Sequence, residues 1–340
     1  MSELLFSDHR IADEWSNDEL YFSDKKSISN SMLGILDDSP TKFDLFMKGK
    51  WSYPHADYFD IGTGVHQMYL EGVDNRLLVE GTRRTKAFKE TKESNPDKIV
   101  LPTSDYNLVE KMVDKLHKVP ELQGFVEGFS EKRPELAASM TITTPKGNKI
   151  SVKGKADMLL SDGFSAPTLL DLKTSGKGLK DWKRNAYYGN YPRQAYLYSQ
   201  LFQTEEFHFA VITKTFPYEV GLYKASDAFL AKGKKMLEDS IANYEYLFLE
   251  NNYRPYSAAV GTAKSITTKF GVITKLSFGP SDFEKLNAEK NEAGWVNLEI
   301  LSGRDGNPYA QIDNFKPAGG GGSAPSAPVN QTAPSDDLPF

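Results

Sequence analysis

Val152-Lys-Gly-Lys-Ala-Asp157-Met-Leu-Leu160, a turn at Asp162-Gly163, and then Thr168-Leu-Leu-Asp171-Leu-Lys173-Thr-Ser175 decide the reading of this chain. The alternation over Lys149–Lys155, running on to Leu160, marks a strand. Thr168–Leu172 is an apolar run of the kind that fills a buried strand. One acid thus stands on the first strand. A second acid and a lysine stand on the next, fourteen positions on and across a tight turn. Adjacent strands would bring the two carboxylates together. Carboxylate oxygens hold hard cations such as Mg²⁺. A bound cation activates water and offsets phosphate charge, and a lysine adds positive charge where a transition state gathers negative charge. The pattern therefore points to phosphodiester cleavage. A single Asp-x-Lys triplet is also common at solvated strand ends, so the surroundings have to carry the argument.

Working outward, Ala137–Thr143 pairs by pattern with Lys149–Lys155 through the turn Pro145-Lys-Gly-Asn148. Pro192–Phe202 reads as a helix, Phe207–Lys214 and Glu219–Lys224 as strands, and Asp227–Asn251 as a long helix. Upstream, Ser27–Met47 reads as two helical pieces, Gly62–Glu71 as a helix, and Asp105–Leu116 as an amphipathic helix. The expected fold class is α/β (α+β), a mixed central sheet flanked by helices. Residues 1–26 are polar, acidic and weakly periodic, and are expected to form a loosely packed arm. Residues 27–255 are expected to form the chemistry-bearing domain and 256–317 a small β-rich unit. That unit would have strands near Val272–Phe278, Trp295–Leu301 and Tyr309–Phe315 and a helix over Ser281–Asn291. Residues 318–340 form a Gly/Ser/Ala/Pro-rich linker with an acidic tip.

The chain has 340 residues, a net charge of −5 and no cysteine. The missing cysteines exclude disulfides, thiolate metal sites, iron–sulfur clusters and cysteine nucleophiles. No apolar run is long enough to span a membrane, and the N-terminus lacks the basic start and apolar core of a signal peptide. The expected location is the cytoplasm. No Gly-x-x-x-x-Gly-Lys-Ser/Thr loop is present, which disfavours a motor-coupled nuclease.

Further residues join the two strands: Glu135 ahead of the first, Gln194 and Tyr198 at i and i+4 on the following helix, and His66 after Gly62-Thr-Gly-Val65. Each has a plainer reading. His66 could be an ordinary packed histidine, Tyr198 a core residue, and Glu135 a loop or capping acid. Together with Ser27-Ile-Ser29, Ser39-Pro40 and Lys86-Ala-Phe-Lys-Glu90, the set resembles the PD-(D/E)xK nuclease superfamily over about residues 27–250. More narrowly it resembles the phage-type exonucleases of the exonuclease VIII and lambda exonuclease group. Lys155-Ala156 stands where the superfamily name implies a proline before Asp157.

The resemblance implies a restriction-endonuclease-like core and a role for each residue. Asp157, Asp171 and the Leu172 carbonyl would hold the principal metal, and Glu135 and His66 a second position. Lys173 would orient water and offset charge, and Gln194 and Tyr198 would position DNA or the lysine. The implied cofactor is Mg²⁺, with Mn²⁺ able to replace it and two ions per site. The implied activity is 5′-to-3′ digestion of double-stranded DNA ends, leaving 3′ single strands for a single-strand annealing protein. A ring-shaped homo-oligomer and a phage-borne or bacterial setting go with it. A structure-specific or restriction-like endonuclease on the same fold is the second enzyme reading. A non-cleaving end-binding or decoy protein is the reading from another class.

Lys177, Lys180, Lys183, Arg184 and Arg193, interleaved with Trp182, Tyr187, Tyr188 and Tyr191, form a candidate DNA surface. Arg83, Arg84 and Lys86 open a second basic strip, and nothing resembles a base-reading module. The end of the chain, Asp336-Asp337-Leu338-Pro339-Phe340, resembles the tip of bacterial single-stranded-DNA-binding proteins. By that resemblance it would recruit host proteins that bind such tips.

Overall fold

The structure is a computed structural model, and it describes residues 3–54, 56–253, 262–268, 271–288, 290, 294–302 and 308–313. The tip Asp336–Phe340 lies outside the described residues. The described chain falls into two compact units. One is built from residues up to Gly34 and from Ser52 to Glu238, the other from Ile35–Trp51 and from Asp239 onward.

The first half of the chain supplies β1 (Leu5–Ile11), α1 (Asp18–Ser23), β2 (Ile28–Ser29), α2 (Asn30–Asp38), α3 (Pro40–Met47) and α4 (Asp57–His66). It continues with β3 (Arg76–Val79), α5 (Lys86–Ser94), β4 (Ile99–Pro102), α6 (Thr103–His117) and α7 (Pro120–Glu127). Next come β5 (Glu131–Thr143), β6 (Lys149–Ser161), β7 (Thr168–Ser175), α8 (Leu179–Tyr188) and α9 (Tyr191–Phe202). β8 (Glu206–Thr213), β9 (Val220–Lys224) and α10 (Asp227–Tyr244) follow. The remainder is β10 (Thr262–Thr268), β11 (Gly271–Ser277), α11 (Pro280–Ala288), β12 (Asn297–Ser302) and β13 (Pro308–Asp313).

The first unit is a mixed sheet in the order β1-β5-β6-β7-β8-β9, with β2 added on β6. The pairings β7–β8 and β2–β6 are parallel and the rest are antiparallel. This is the expected mixed α/β class. The expected hairpin is present in register, with Ala137 opposite Lys155 and Thr143 opposite Lys149. Gly147 at φ 87° makes the turn that a side chain would strain. Central strand β7 buries Leu169, Leu170 and Leu172, as its unbroken apolar run predicts. On one side of the sheet, Val109, Met112, Val113 and Leu116 of α6 form a single helical stripe. They pack with Ile61 and Val65 of α4 against Met158, Leu160, Leu170, Leu172, Ala210 and Ile212. Elsewhere on the sheet, Phe209 of β8 meets Trp182 of α8, Tyr191 of α9 and Phe229 of α10.

Gly154 matters for where α9 lies. A Cβ there would sit 2.7 Å from Leu201 Cδ1 and 2.8 Å from Tyr198 Cε1. Only a residue without a side chain lets α9 close down on β6 at this point. The helix carrying Gln194 is held near the acids for that reason.

The N-terminal segment corrects an expectation. It is not a loose arm: β1 pairs with β5 at the sheet edge, and the segment after it folds over Lys153. That lysine is 2% exposed. Its ammonium donates to the carbonyls of Tyr21 and Asp24, and the rings of Trp15 and Tyr21 cover it. A buried ammonium needs that many partners, and they come from residues with no hydrophobic period to reveal them.

In the second unit, β10 pairs with β11 and β12 with β13. The strands expected near 272–278, 295–301 and 309–315 are found with boundaries shifted by a few residues. β10 had no expectation.

Candidate active site

β6 and β7 keep ladder pairing only from Leu160↔Thr168 to Met158↔Leu170. Beyond that the strands part, and the Leu172 N–H donates to Asp157 Oδ2 at 2.8 Å. A side chain has taken over a ladder hydrogen bond, so Asp157 is pinned at the point where the sheet opens. Glu135 lies across from it on β5, between the pairs Pro134↔Met158 and Leu136↔Ala156. Its backbone is left-handed, φ 50°, a conformation that costs a non-glycine residue about 1 kcal/mol or more. Strain of this kind persists where the surrounding structure fixes it, and it re-aims the Glu135 side chain.

His66 arrives from the last turn of α4, where the helix passes into a π turn over Gln67–Glu71. Its Nδ1 lies 3.4 Å from Asp157 Oδ2, and its ring also engages the Leu172 backbone. His66, Glu135 and Asp157 each offer one donor atom, and these atoms lie within 4.8 Å of one another. Asp171, from β7, is turned elsewhere. Gln194 Nε2 donates to its Oδ1 at 2.8 Å, and Lys173 Nζ lies 2.7 Å from its Oδ2. The lysine also stands 5.5 Å from the Tyr191 ring centre. Tyr198 is half-buried beside this pair and makes a backbone hydrogen bond at Lys155.

The electrostatics follow from burial. Asp171 is pushed up to about 6, chiefly because burial disfavours its charge, with Lys173 pulling the other way. Burial also raises Asp157. It raises Glu135 too, with the Asp157 charge adding to the effect. His66 is lowered by burial and then by the Lys173 charge, so its imidazole is neutral near pH 7 and has a lone pair to give. Lys173 is raised by the two aspartates despite burial, and keeps its charge.

The donor set fits a hard divalent cation: two carboxylates and one neutral imidazole converge. A further buried acceptor, Gln67 Oε1, has no hydrogen-bond partner and lines the same cleft of about 480 Å³. Three of the five expected ligands meet at one position. The Leu172 carbonyl joins them through His66, while Asp171 is held by Gln194 and Lys173.

Several residues here had no expectation. Lys155 Nζ lies 3.1 Å from Glu135 Oε2 and 2.6 Å from Asp18 Oδ1, so a cation holds the strained acid in place. The strand period was the available signal, because Lys155 and Asp157 are two apart and share a face. Asp18, Tyr58, Phe59 and Lys214, which also line the cleft, come from segments with no distinguishing pattern.

The expected DNA surfaces are only partly exposed. Lys177, Lys180 and Arg184 are at the surface and Lys183 is half-buried, its ammonium 5.2 Å from the Tyr223 ring centre. Arg193 is fully buried. It donates to the Asn30 side chain at 2.9 Å and the Asn30 carbonyl at 3.1 Å, so it ties α9 to α2 and faces no ligand. Trp182 is 5% exposed, stacked on Tyr223. The segment is helix α8, and its apolar face must be covered. In the second strip Arg84 and Lys86 are exposed. Arg83 is not: it bonds Asp60 at 2.7 Å and Asp105 at 2.8 Å, a structural clamp.

A sheet that parts at a carboxylate, an imidazole beside it, and an Asp-x-Lys on the next strand make a candidate metal site of the PD-(D/E)xK type. The chain belongs to the family described as PDDEXK-like domain of unknown function (DUF3799), which matches residues 29–258. None of the curated proteins matches it. Among solved structures it is similar to a proposed exonuclease from Eubacterium rectale, at 17% identity and TM-score 0.48, covering 73% of this chain and 89% of that one. It is also similar to the protein SSO0001, at 20% identity and TM-score 0.28, covering 58% of this chain and 95% of that one. Family and site together support a nuclease. No helix among the described residues is long and apolar enough to cross a membrane.

Proposed function

We propose that this protein is a divalent-metal-dependent deoxyribonuclease that digests duplex DNA from its ends, 5′ to 3′, and leaves 3′ single strands for an annealing partner. The observation that carries the nuclease reading is the His66–Glu135–Asp157 donor group beside the buried Lys173–Asp171 pair. His66, Glu135 and Asp157 would hold the cation, Mg²⁺ or Mn²⁺, and Asp171 would serve a second ion. A bound cation supplies Lewis acidity and a water of lowered pKa.

The chain's own residues do the rest. Lys173 holds a full positive charge in a site of low dielectric, where charge on a phosphate oxygen is offset most strongly. Gln194 fixes the Asp171 carboxylate, and Asp171 in turn fixes the lysine. The Leu172 N–H fixes Asp157, and Lys155 fixes Glu135. Ends-only action, 5′ polarity, a ring-shaped assembly, a cytoplasmic location and recruitment through Asp336–Phe340 extend this reading. They are supported by the resemblance and the sequence of the tail.

The test is digestion of linear and closed circular duplex, with and without Mg²⁺, using 5′- or 3′-end label. Mg²⁺-dependent loss of linear DNA alone, with 5′ label released first, is the expected result. Linearised or nicked circles would replace the exonuclease by an endonuclease, and no cleavage by wild type under any condition would overturn the enzyme reading.

A further inference from the structure

Of the aromatics expected to meet DNA, Trp182 is buried in the core, while Tyr191 of α9 lines the cleft that holds the candidate metal ligands. Two further rings wall the same cleft. Tyr58 and Phe59, in the first turn of α4, both line it, 59% and 46% exposed. Their ring centres are 4.5 Å apart. Phe59, Gly62, Thr63 and His66 fall at i, i+3, i+4 and i+7, one face of the helix, and all four line the cleft. The residues between the rings and His66 are therefore small, and they leave the floor open. Lys214, at the end of β8, donates to the Tyr58 carbonyl at 3.1 Å. Its ammonium lies 5.5 Å from the Tyr58 ring centre, so the aromatic wall carries a positive charge.

The geometry points to a base-stacking subsite: Tyr58 and Phe59 take an unpaired nucleobase of the strand being cut, with Lys214 on its phosphate. This rests on the nuclease reading of the same cleft. Flat rings beside a fixed cation suit a nucleotide, whose base offers a π face and whose backbone offers an anion. The spacing selects which base. Seven residues of helix separate Phe59 from His66, about 10 Å at 1.5 Å each. That is about three stacked steps of 3.4 Å, so the base lies two or three nucleotides from the scissile phosphate. A base can reach flat side chains in a cleft only when it is out of its duplex. The enzyme would thus open the last few pairs of an end before cutting.

The experiment walks a single abasic residue through the first five nucleotides of the cut strand in a linear duplex. It reads kcat/KM with Mg²⁺, and Kd with Ca²⁺ in its place. In wild type, removing the base at the second or third nucleotide should cost roughly 5- to 150-fold, the worth of one base on an aromatic ring, and other positions little. In the Tyr58→Ala/Phe59→Ala enzyme, intact DNA should already show that loss, and the abasic residue should add less than about twofold. Tyr58→Phe should keep the wild-type profile. If the alanine pair fails to fold, Tyr58→Leu/Phe59→Leu keeps the packing and removes the π faces. A flat wild-type profile, or the same profile in wild type and variant, overturns the subsite, as it would if these rings instead meet another protein. If wild type cleaves nothing, the nuclease reading fails on its own, and the Kd profile still decides whether the rings hold a base.

Discussion

Replacing Asp171 by Asn should make the metal-free protein more stable while abolishing its activity. Asp171 is 3% exposed and raised from the ordinary 3.8 to about 6 by burial, even with Lys173 beside it. The sign follows from linkage. The folded state holds the proton more tightly than the unfolded chain, so stability falls as pH rises through the window from about 4 to 6. Above that window the ionised carboxylate costs about 3 kcal/mol, at 1.36 kcal/mol per pH unit. At pH 5 the cost is about 1.6 kcal/mol and at pH 4 about 0.6 kcal/mol by the same relation.

Asn has the shape of the protonated acid, and its carbonyl can still accept from Gln194. Thermal unfolding of the unit that holds Asp171, in EDTA at pH 7, should therefore show Asp171→Asn higher by about 6–12 °C, at about 2–4 °C per kcal/mol for a folding unit of about 150–250 residues. The gap should shrink at pH 5 and nearly close at pH 4. Adding Mg²⁺ should raise the wild-type midpoint and narrow the pH 7 gap, because a cation lifts the cost of the buried charges. An Asn variant that melts at or below wild type in EDTA at pH 7, or a gap that does not change with pH, would refute the reasoning.

Lys173→Met should lower kcat by about 10²–10³-fold, the usual loss for one charge-stabilising group, with DNA affinity in Ca²⁺ changed only a few-fold. Gln194→Ala frees the Asp171 carboxylate and should cost about 10–100-fold in activity or metal affinity, read by calorimetric Mn²⁺ titration beside single-turnover cleavage. Arg83→Ala breaks ion pairs to Asp60 and Asp105 at side chains only 13–23% exposed. It should destabilise by about 2 kcal/mol, less than the 3–5 kcal/mol of a wholly buried pair. It should also leave the salt dependence of DNA binding unchanged, where a phosphate-contacting arginine would flatten it.

The strands around the acids were legible because period 2 is a direct image of a half-buried sheet, and the unbroken run of β7 is the image of a central strand. Gln194 was legible because i and i+4 fix a helix face. What sequence could not give was how polar residues are spent. Arg193 and Lys183 stand ten positions apart in the same basic stretch, yet one is a buried pin and the other lies over a ring. A cation in sequence carries no record of its burial. The N-terminal segment was hidden for the same reason, since its work is done by the carbonyls of Tyr21 and Asp24, which every residue has. Tyr58 and Phe59 were hidden differently. They precede the helix expected over Gly62–Glu71, in a segment with no distinguishing pattern, and only the folded chain shows them facing a cleft.

The features that look worst for stability converge on one place. Three acids are raised, Asp171 buried and Asp157 and Glu135 partly so, Glu135 adopts a left-handed backbone, the β6–β7 ladder is broken after Met158, and α4 ends in a π turn. Any one of these could be a local accident of packing. Sequences that fold well keep local and global preferences in agreement, and depart from it where function requires. Here each departure aims a donor at the same point: the strain turns Glu135, the broken ladder frees the Leu172 N–H for Asp157, and the π turn follows directly on His66. Lys155 and Lys173 then each hold one carboxylate by direct contact. A stabilising core would have replaced these charges by apolar residues. Their retention, each with its own partner, is the pattern of a site kept ready for a cation and a phosphate.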